Sequence, residues 1–382
     1  MKNKKLWISS VVVLNYFMAF YIILSILSRY ATELGFQPFQ IGILWSVVSI
    51  VAIPLRSVFG YLADITSRST VVTLGNLALI IASINYALSN TYHQLLIARG
   101  LEGIASAMFI STSMALMVEV VEEDRIGEAL GLRSLMVALG GIVGPYLGTW
   151  IVDNFNYKIA FLVPSFIASI NIVLMLTCFR IEMRLRVRRY RSDWRKLFTI
   201  FNKNLVIVTI SVALMGIVYS ALFNNLQAHY RLLGYPATAF GLFSTTQSLS
   251  GIFTRAISGK LLRLYDAALL SAIGFLIMLS ALATLSIQYE VPSSYIAAII
   301  YGLGLGLLVP ANQTIAARIP RKHRALIMGI YTTGFDIGGL IGPITYGYIA
   351  EIFGYGKSYL YLTIPLAMGT LLMTYLYIAK KP

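Results

Sequence analysis

The sequence predicts an all-α integral membrane protein: twelve transmembrane helices arranged as two six-helix, pseudo-symmetric bundles. Three observations predict it. The composition is 58 % hydrophobic and only 12 % charged, with mean hydropathy +0.77; soluble domains carry about 25 % charged residues, so lipid must be part of the solvent. The apolar residues gather in twelve runs of near-spanning length. The two halves also repeat each other. Gly35, Gly42, Arg56 and Gly60 recur 199 residues later as Gly234, Gly241, Arg255 and Gly259, and Gly131, Gly140, Gly141, Gly144 and Pro145 recur 198 later as Gly329, Gly338, Gly339, Gly342 and Pro343. Such a nearly constant offset marks a duplicated membrane unit.

Taken in order, the runs cover 7–28, 39–61, 71–90, 95–118, 126–150 and 157–179, then 204–226, 238–259, 267–288, 294–317, 325–350 and 357–379. Each holds about 20 residues, as a helix crossing about 30 Å of hydrocarbon requires. They are too long for membrane strands and lack a period of two. Residues 1–5 ahead of Trp7 could open a signal peptide. The apolar run that follows is too long for one and has no small-residue cleavage site, so an uncleaved first span is expected.

Between the sixth and seventh runs lies a basic tether from Arg180 to Lys203, with nine Lys/Arg against Glu182 and Asp193. The expected domains are therefore 1–180 and 204–382, each a six-helix bundle, joined by a linker at 181–203. Loops on one side of the membrane hold 22 Lys/Arg and loops on the other hold four: Arg29, Lys158, Arg231 and Lys357. This bias places both termini and the tether in the cytoplasm of a cell-membrane protein. The net charge of +15 follows from that flanking pattern and does not point to nucleic acid. Cys178 is the single cysteine, which excludes a disulfide framework and a cysteine metal cluster.

Charges inside the spans are few: Arg56, Arg99, Arg133, Arg255, Glu102 and Asp336. An ionisable group in the bilayer has a functional reading by default. Arg99 and Glu102 are three apart, share a helix face and can neutralise each other. A buried acid can also carry protons, so Glu102 is either a proton carrier or half of a static pair. Arg56 and Arg255 occupy equivalent places in the two repeats, one turn before Gly60 and Gly259. They either bind an anionic substrate or brace the nearby helix ends. Arg133 shares a face with Gly140 and Gly144 and is expected to meet a neighbouring helix.

Asp336 falls about 15 Å into its span, near the bilayer centre. It points away from the Gly334–Gly338–Gly342 ridge and shares a face with Thr332 and Thr333. It reads as a proton site or as a fixed partner of Arg56. Six prolines (Pro54, Pro145, Pro164, Pro310, Pro343 and Pro365) also lie inside spans. They fit either kinked, cavity-lining helices or simple tolerance of proline in membranes. His93, His229 and His323 are expected in loops, which argues against a histidine proton relay. No nucleotide-binding loop is present, and no cofactor or metal is expected.

Three stretches stand out as motifs. Gly60–Arg68 reads GYLADITSR, with a glycine suited to close packing and Asp64 four residues before Arg68. Arg99–Gly103 reads RGLEG, and Gly140–Gly148 reads GGIVGPYLG, echoed by GGLIGP at Gly338–Pro343. With the six-plus-six layout and central loop, the whole chain resembles the major facilitator superfamily. Gly60, Asp64 and Arg68 match its loop motif, while Ile65, Ser67 and Ser69 depart from it. Arg99–Gly103 is similar to its span-four motif. Gly140–Gly148 resembles the span-five motif of its drug/proton antiporter branch, with Thr149 where a second glycine is common.

The resemblance implies a cytoplasmic latch of Asp64, Arg68 and Glu119. The alternative is an exposed pair of little energetic value. In the second repeat Arg263 replaces the latch aspartate. The small residues Gly140, Gly144, Pro145, Gly148, Gly338, Gly342 and Pro343 are expected to form ridges on which helices pack. The expected function is secondary active transport by alternating access, as proton-coupled efflux of a small organic molecule by a monomer, with no catalytic residues. Uptake of a nutrient or organic anion by symport is the alternative, and a membrane sensor without flux is a third reading.

Overall fold

The computed structural model describes every residue except Met1, Glu123, Asp124 and residues 180–202, 318–323 and 380–382, together with the side chains of residues 2–3 and 324–328. The tether before Lys203, the acids Glu123 and Asp124, His323 and the basic clusters at 318–323 and 380–382 thus lie outside the described residues. The rest is helical. The first repeat holds α1 (Lys2–Glu33), α2 (Pro38–Ile65), α3 (Arg68–Leu88), α4 (Tyr92–Glu119), α5 (Ile126–Asn154) and α6 (Tyr157–Cys178). The second holds α7 (Lys203–Leu232), α8 (Ala237–Leu264), α9 (Ala267–Ile287), α10 (Ser293–Ala317), α11 (Arg324–Phe353), α12 (Tyr355–Tyr361) and α13 (Thr363–Ile378). Among the described residues, ten segments are long and apolar enough to span a bilayer, α12 and α13 counting as one. The exceptions, α8 and α11, have spanning length at 28 and 30 residues.

Local signals set the boundaries. Ser67 caps α3 by accepting from the Thr70 amide, and Thr91 with Gln94 forms a capping box on α4. Gly35 and Gly234 both take positive φ, 81° and 79°, just past the ends of α1 and α7. In each case the next amide reaches back to the helix, Phe36 to the Ala31 carbonyl and Tyr235 to the Tyr230 carbonyl. Only glycine adopts this left-handed closure without penalty, which explains why these two residues repeat. The last span is broken at Leu362. Pro365 lacks an amide hydrogen and its ring opposes the carbonyl four residues back, at Tyr361, where α12 stops. Read from sequence, this was one continuous run.

The burial pattern fits lipid on the outside. On α6, Ala160, Phe161, Pro164, Ile167, Ala168, Asn171 and Met175 face the core, while Phe166, Ile170, Val173 and Leu176 are exposed. A helix apolar on both faces is at home in a membrane. Inside the first unit, Asn171 donates to Asn76 Oδ1 at 2.9 Å and to the Val12 carbonyl at 3.1 Å, and accepts from Asn15 at 3.0 Å. In the second, Asn312 donates to Ser211 at 3.0 Å and accepts from Ser271 at 2.8 Å. Interhelical bonds of this kind tie helices together where apolar burial gives no preference over lipid.

The fold has two compact units. So far as they are described, the first comprises Met1–Phe36, Val47–Tyr190 and Tyr230–Gly241, and the second Gln37–Ser46, Arg191–His229 and Leu242–Pro382. In the first, α1 packs on α4, α5 and α6, and α3 on α4 and α6; in the second, α9 packs on α10, α12 and α13. Helices α2 and α8 each run from one unit into the other.

Candidate functional site

In the first unit α4 carries the charged core. Arg99 Nη1 lies 2.7 Å from Glu102 Oε2, and the two side chains are 2 % and 0 % exposed. One turn separates them, so the pair is built on a single helix face. The Tyr86 hydroxyl of α3 donates to the same Glu102 oxygen at 2.5 Å. The Tyr86 ring stacks on Phe161 of α6, with centroids 5.2 Å apart. Among the described residues Glu102 Oε1 has no hydrogen-bond partner. The carboxylate is thus held by two donors on one oxygen. Tyr86 escaped the sequence reading because one tyrosine among 24 carries no pattern; its spacing from Glu102 shows only in the fold.

At the other end of the same helices, Arg68 opens α3. Its Nη1 lies 3.2 Å from Glu119 Oε2 and 3.1 Å from the Ala115 carbonyl of α4. Its Nη2 lies 4.0 Å from Asp64 on α2. The three residues named from sequence therefore meet, with Arg68 between two helix ends. All three are partly exposed, and their energetic weight is correspondingly small. Among the described residues, a Cβ at Gly60 would meet nothing within 4 Å, and the same holds at Gly259.

Arg133 crosses from α5 to α4, donating to the Ile110 carbonyl at 2.9 Å, with its guanidinium 5.7 Å from the Phe17 ring centroid. Arg56 is half-buried on α2, while Arg255 is exposed on α8, so equivalent positions have unequal surroundings. Asp336 is half-buried on α11. Thr332 and Thr333 bond back to the Gly329 carbonyl at 3.0 and 2.9 Å.

The small-residue ridges lie against neighbouring helices. A Cβ at Gly140 or Gly144 would come within 2.9 Å of the Met18 amide or 2.7 Å of its carbonyl, and one at Gly148 would touch Ile22 and Ser25, all on α1. On α11 a Cβ at Gly338 would strike the Ala213 carbonyl and at Gly342 the Ile217 carbonyl, both on α7.

The histidine reading needs correction. His93 sits in the first turn of α4 and is exposed, and His229 is inside α7, 8 % exposed. His229 Nδ1 lies 2.9 Å from the Tyr359 hydroxyl and its ring stacks on Tyr355 at 5.0 Å. The helix runs about two turns further than the apolar stretch, which is why His229 was assigned to a loop.

A helical, multi-pass architecture with internal duplication, and with buried charge on helix faces, is that of a polytopic membrane protein. The profile of the Major Facilitator Superfamily matches residues 9–343 and again 269–382, and the chain belongs to that family of transporters, not to an enzyme family. It is similar to the multi-drug resistance efflux pump PmrA of Streptococcus pneumoniae, at 24 % identity, covering 83 % of this chain and 81 % of that one. It is similar also to the multidrug resistance protein MdtG of Dickeya zeae, at 24 % identity over 95 % and 91 % of the two chains. The fold matches the crystal structure of the nucleoside transporter NupG with a TM-score of 0.78 at 15 % identity, over 97 % of this chain and 98 % of that one.

Proposed function

We propose that this chain is a proton-coupled exporter of small, amphipathic organic molecules, working by alternating access between repeats 1–180 and 204–382. The observation that carries the reading is the buried Glu102, bonded on one oxygen and unbonded on the other. A carboxylate in that position can exchange a proton while Arg99 and Tyr86 hold it in place. Asp336 in the second repeat is the other coupling site. The direction, export, is supported by the similarity to PmrA, a multi-drug resistance efflux pump, and to the multidrug resistance protein MdtG. Asp64, Arg68 and Glu119 act as the cytoplasmic latch, and the glycine ridges let helices approach closely as the cavity alternates. The protein works as a monomer in the cell membrane with both termini cytoplasmic, needs no cofactor beyond an ion gradient, and binds no nucleic acid.

The test uses cells lacking their own efflux pumps, loaded with ethidium and carrying matched membrane amounts of the chain or its Glu102→Gln variant. The chain should speed ethidium loss, and a protonophore or Glu102→Gln should abolish the gain. Unchanged loss, or faster entry, would overturn the reading.

A further inference from the structure

The repeat identities at Gly42/Gly241 and Pro145/Pro343 have no part in the transport site, yet the structure gives them one partner arrangement. In the first unit, the first turn of α8 lies on the end of α5. Gly241 faces the Pro145 carbonyl and Thr149, and Asp153 accepts from two amides, Ala237 at 2.7 Å on Oδ1 and Thr238 at 2.8 Å on Oδ2. In the second unit, the first turn of α2 lies on the end of α11. Gly42 faces the Pro343 carbonyl, Gly347 faces Pro38, and Glu351 Oε2 accepts from the Phe39 amide at 3.1 Å.

The correspondence is residue by residue. Asp153 and Glu351 are 198 apart, while Phe39 and Thr238, like Pro38 and Ala237, are 199 apart. The close-approach glycines are what let each carboxylate reach the amides. A carboxylate there is doubly favoured, by the free amides and by the helix dipole.

We propose that Asp153 and Glu351 are a symmetry-related pair of positioning residues, each clasping the first turn of a helix that passes on into the other unit, and that the clasp on α2 is the weaker and opens first. Two features make the pair unequal. Pro38 has no amide hydrogen, so Glu351 holds one donor where Asp153 holds two. The α8 corner is also braced. Glu33 meets Arg231 at 2.7 Å and the Tyr157 hydroxyl at 2.6 Å, and Arg29 donates to the Tyr235 carbonyl at 2.8 Å. At an offset of 199, Arg29, Glu33 and Arg231 correspond to Ala228, Leu232 and Thr32, so the α2 corner lacks that charge network. Helices α2 and α8 are two of the places where the chain passes between compact units. The clasps therefore decide which unit each first turn travels with, whatever the substrate or its direction.

Amide hydrogen exchange of the full chain in lipid nanodiscs, resolved to single residues at one fixed pH, tests this without any ligand. After correction for intrinsic rates, wild-type Phe39 should exchange about tenfold faster than Thr238, as the loss of one charge-assisted bond implies. Asp153→Asn should raise exchange at Ala237 and Thr238 about tenfold and leave Phe39 unchanged, with Asp153→Glu restoring protection. Glu351→Gln should do the reverse, raising exchange at Phe39 alone. Equal wild-type exchange at Phe39 and Thr238 would overturn the inequality, and that comparison needs no variant to fold. Unchanged exchange at Ala237 in Asp153→Asn would overturn the clasp itself.

Discussion

At the α1–α5 seam Gly144 approaches the Met18 carbonyl, and at the α7–α11 seam Gly342 approaches the Ile217 carbonyl. The glycines are 198 residues apart and the carbonyls 199. Backbone-to-backbone approach of this kind has been kept in both copies. The charged core has not. At offsets of 198 or 199, Arg99 corresponds to Ala297 or Ala298, and Glu102 to Ile300 or Tyr301. The difference teaches that packing and chemistry separate after duplication. Every small residue at a seam is constrained by the helix facing it, whereas an ion pair on one helix face is free to be lost from one copy.

The largest expected effect breaks this comparison on its chemical side. Glu102→Gln leaves Arg99 buried without its counter-charge and should destabilise the chain by about 3–5 kcal/mol. Tyr301→Phe in the second repeat should be nearly neutral, because the Tyr301 hydroxyl, though buried, has no partner among the described residues. Thermal unfolding in detergent measures both. Comparable losses would show that the second repeat has a polar site of similar weight.

The packing side is tested next. Gly140→Val and Gly338→Val should each cost about 1–3 kcal/mol through overpacking against α1 and α7, and by similar amounts. Gly60→Ala, where a Cβ meets nothing within 4 Å among the described residues, should cost far less. A loss at one seam only would end the equivalence of the two seams.

The smallest expected effect is at the latch. Arg68→Ala removes a partly exposed pair with Glu119, worth about 0–1 kcal/mol. Transport should therefore fall without a matching fall in melting temperature. If stability and transport fall together, Arg68 is a structural brace.

Much of this was readable in the chain. The apolar runs gave the helices to within several residues, because hydropathy and length leave few alternatives in a bilayer. The pairing of Arg99 with Glu102 followed from a three-residue spacing on one helix. What escaped depends on contacts across the fold. Tyr86 looks like any membrane aromatic until α3 lies beside α4. Asp153 and Glu351 look like solvated charges at helix ends, and only the facing amides of α8 and α2 give them a partner. His229 was misplaced because α7 continues past its apolar stretch. The break at Leu362 was legible in principle from Pro365, since proline disturbs the turn before it.

Proton-coupled export is tested most directly in proteoliposomes holding the purified chain, with an acidic lumen, a neutral bath and the membrane potential clamped at zero. Ethidium is a permanent cation and does not accumulate passively in response to a pH gradient. The account predicts that protons leaving the lumen drive ethidium inward until the gradient collapses, and that Glu102→Gln vesicles fail to do so. Ethidium entering only when the bath is the more acidic side would contradict it, since dye and protons would then move together.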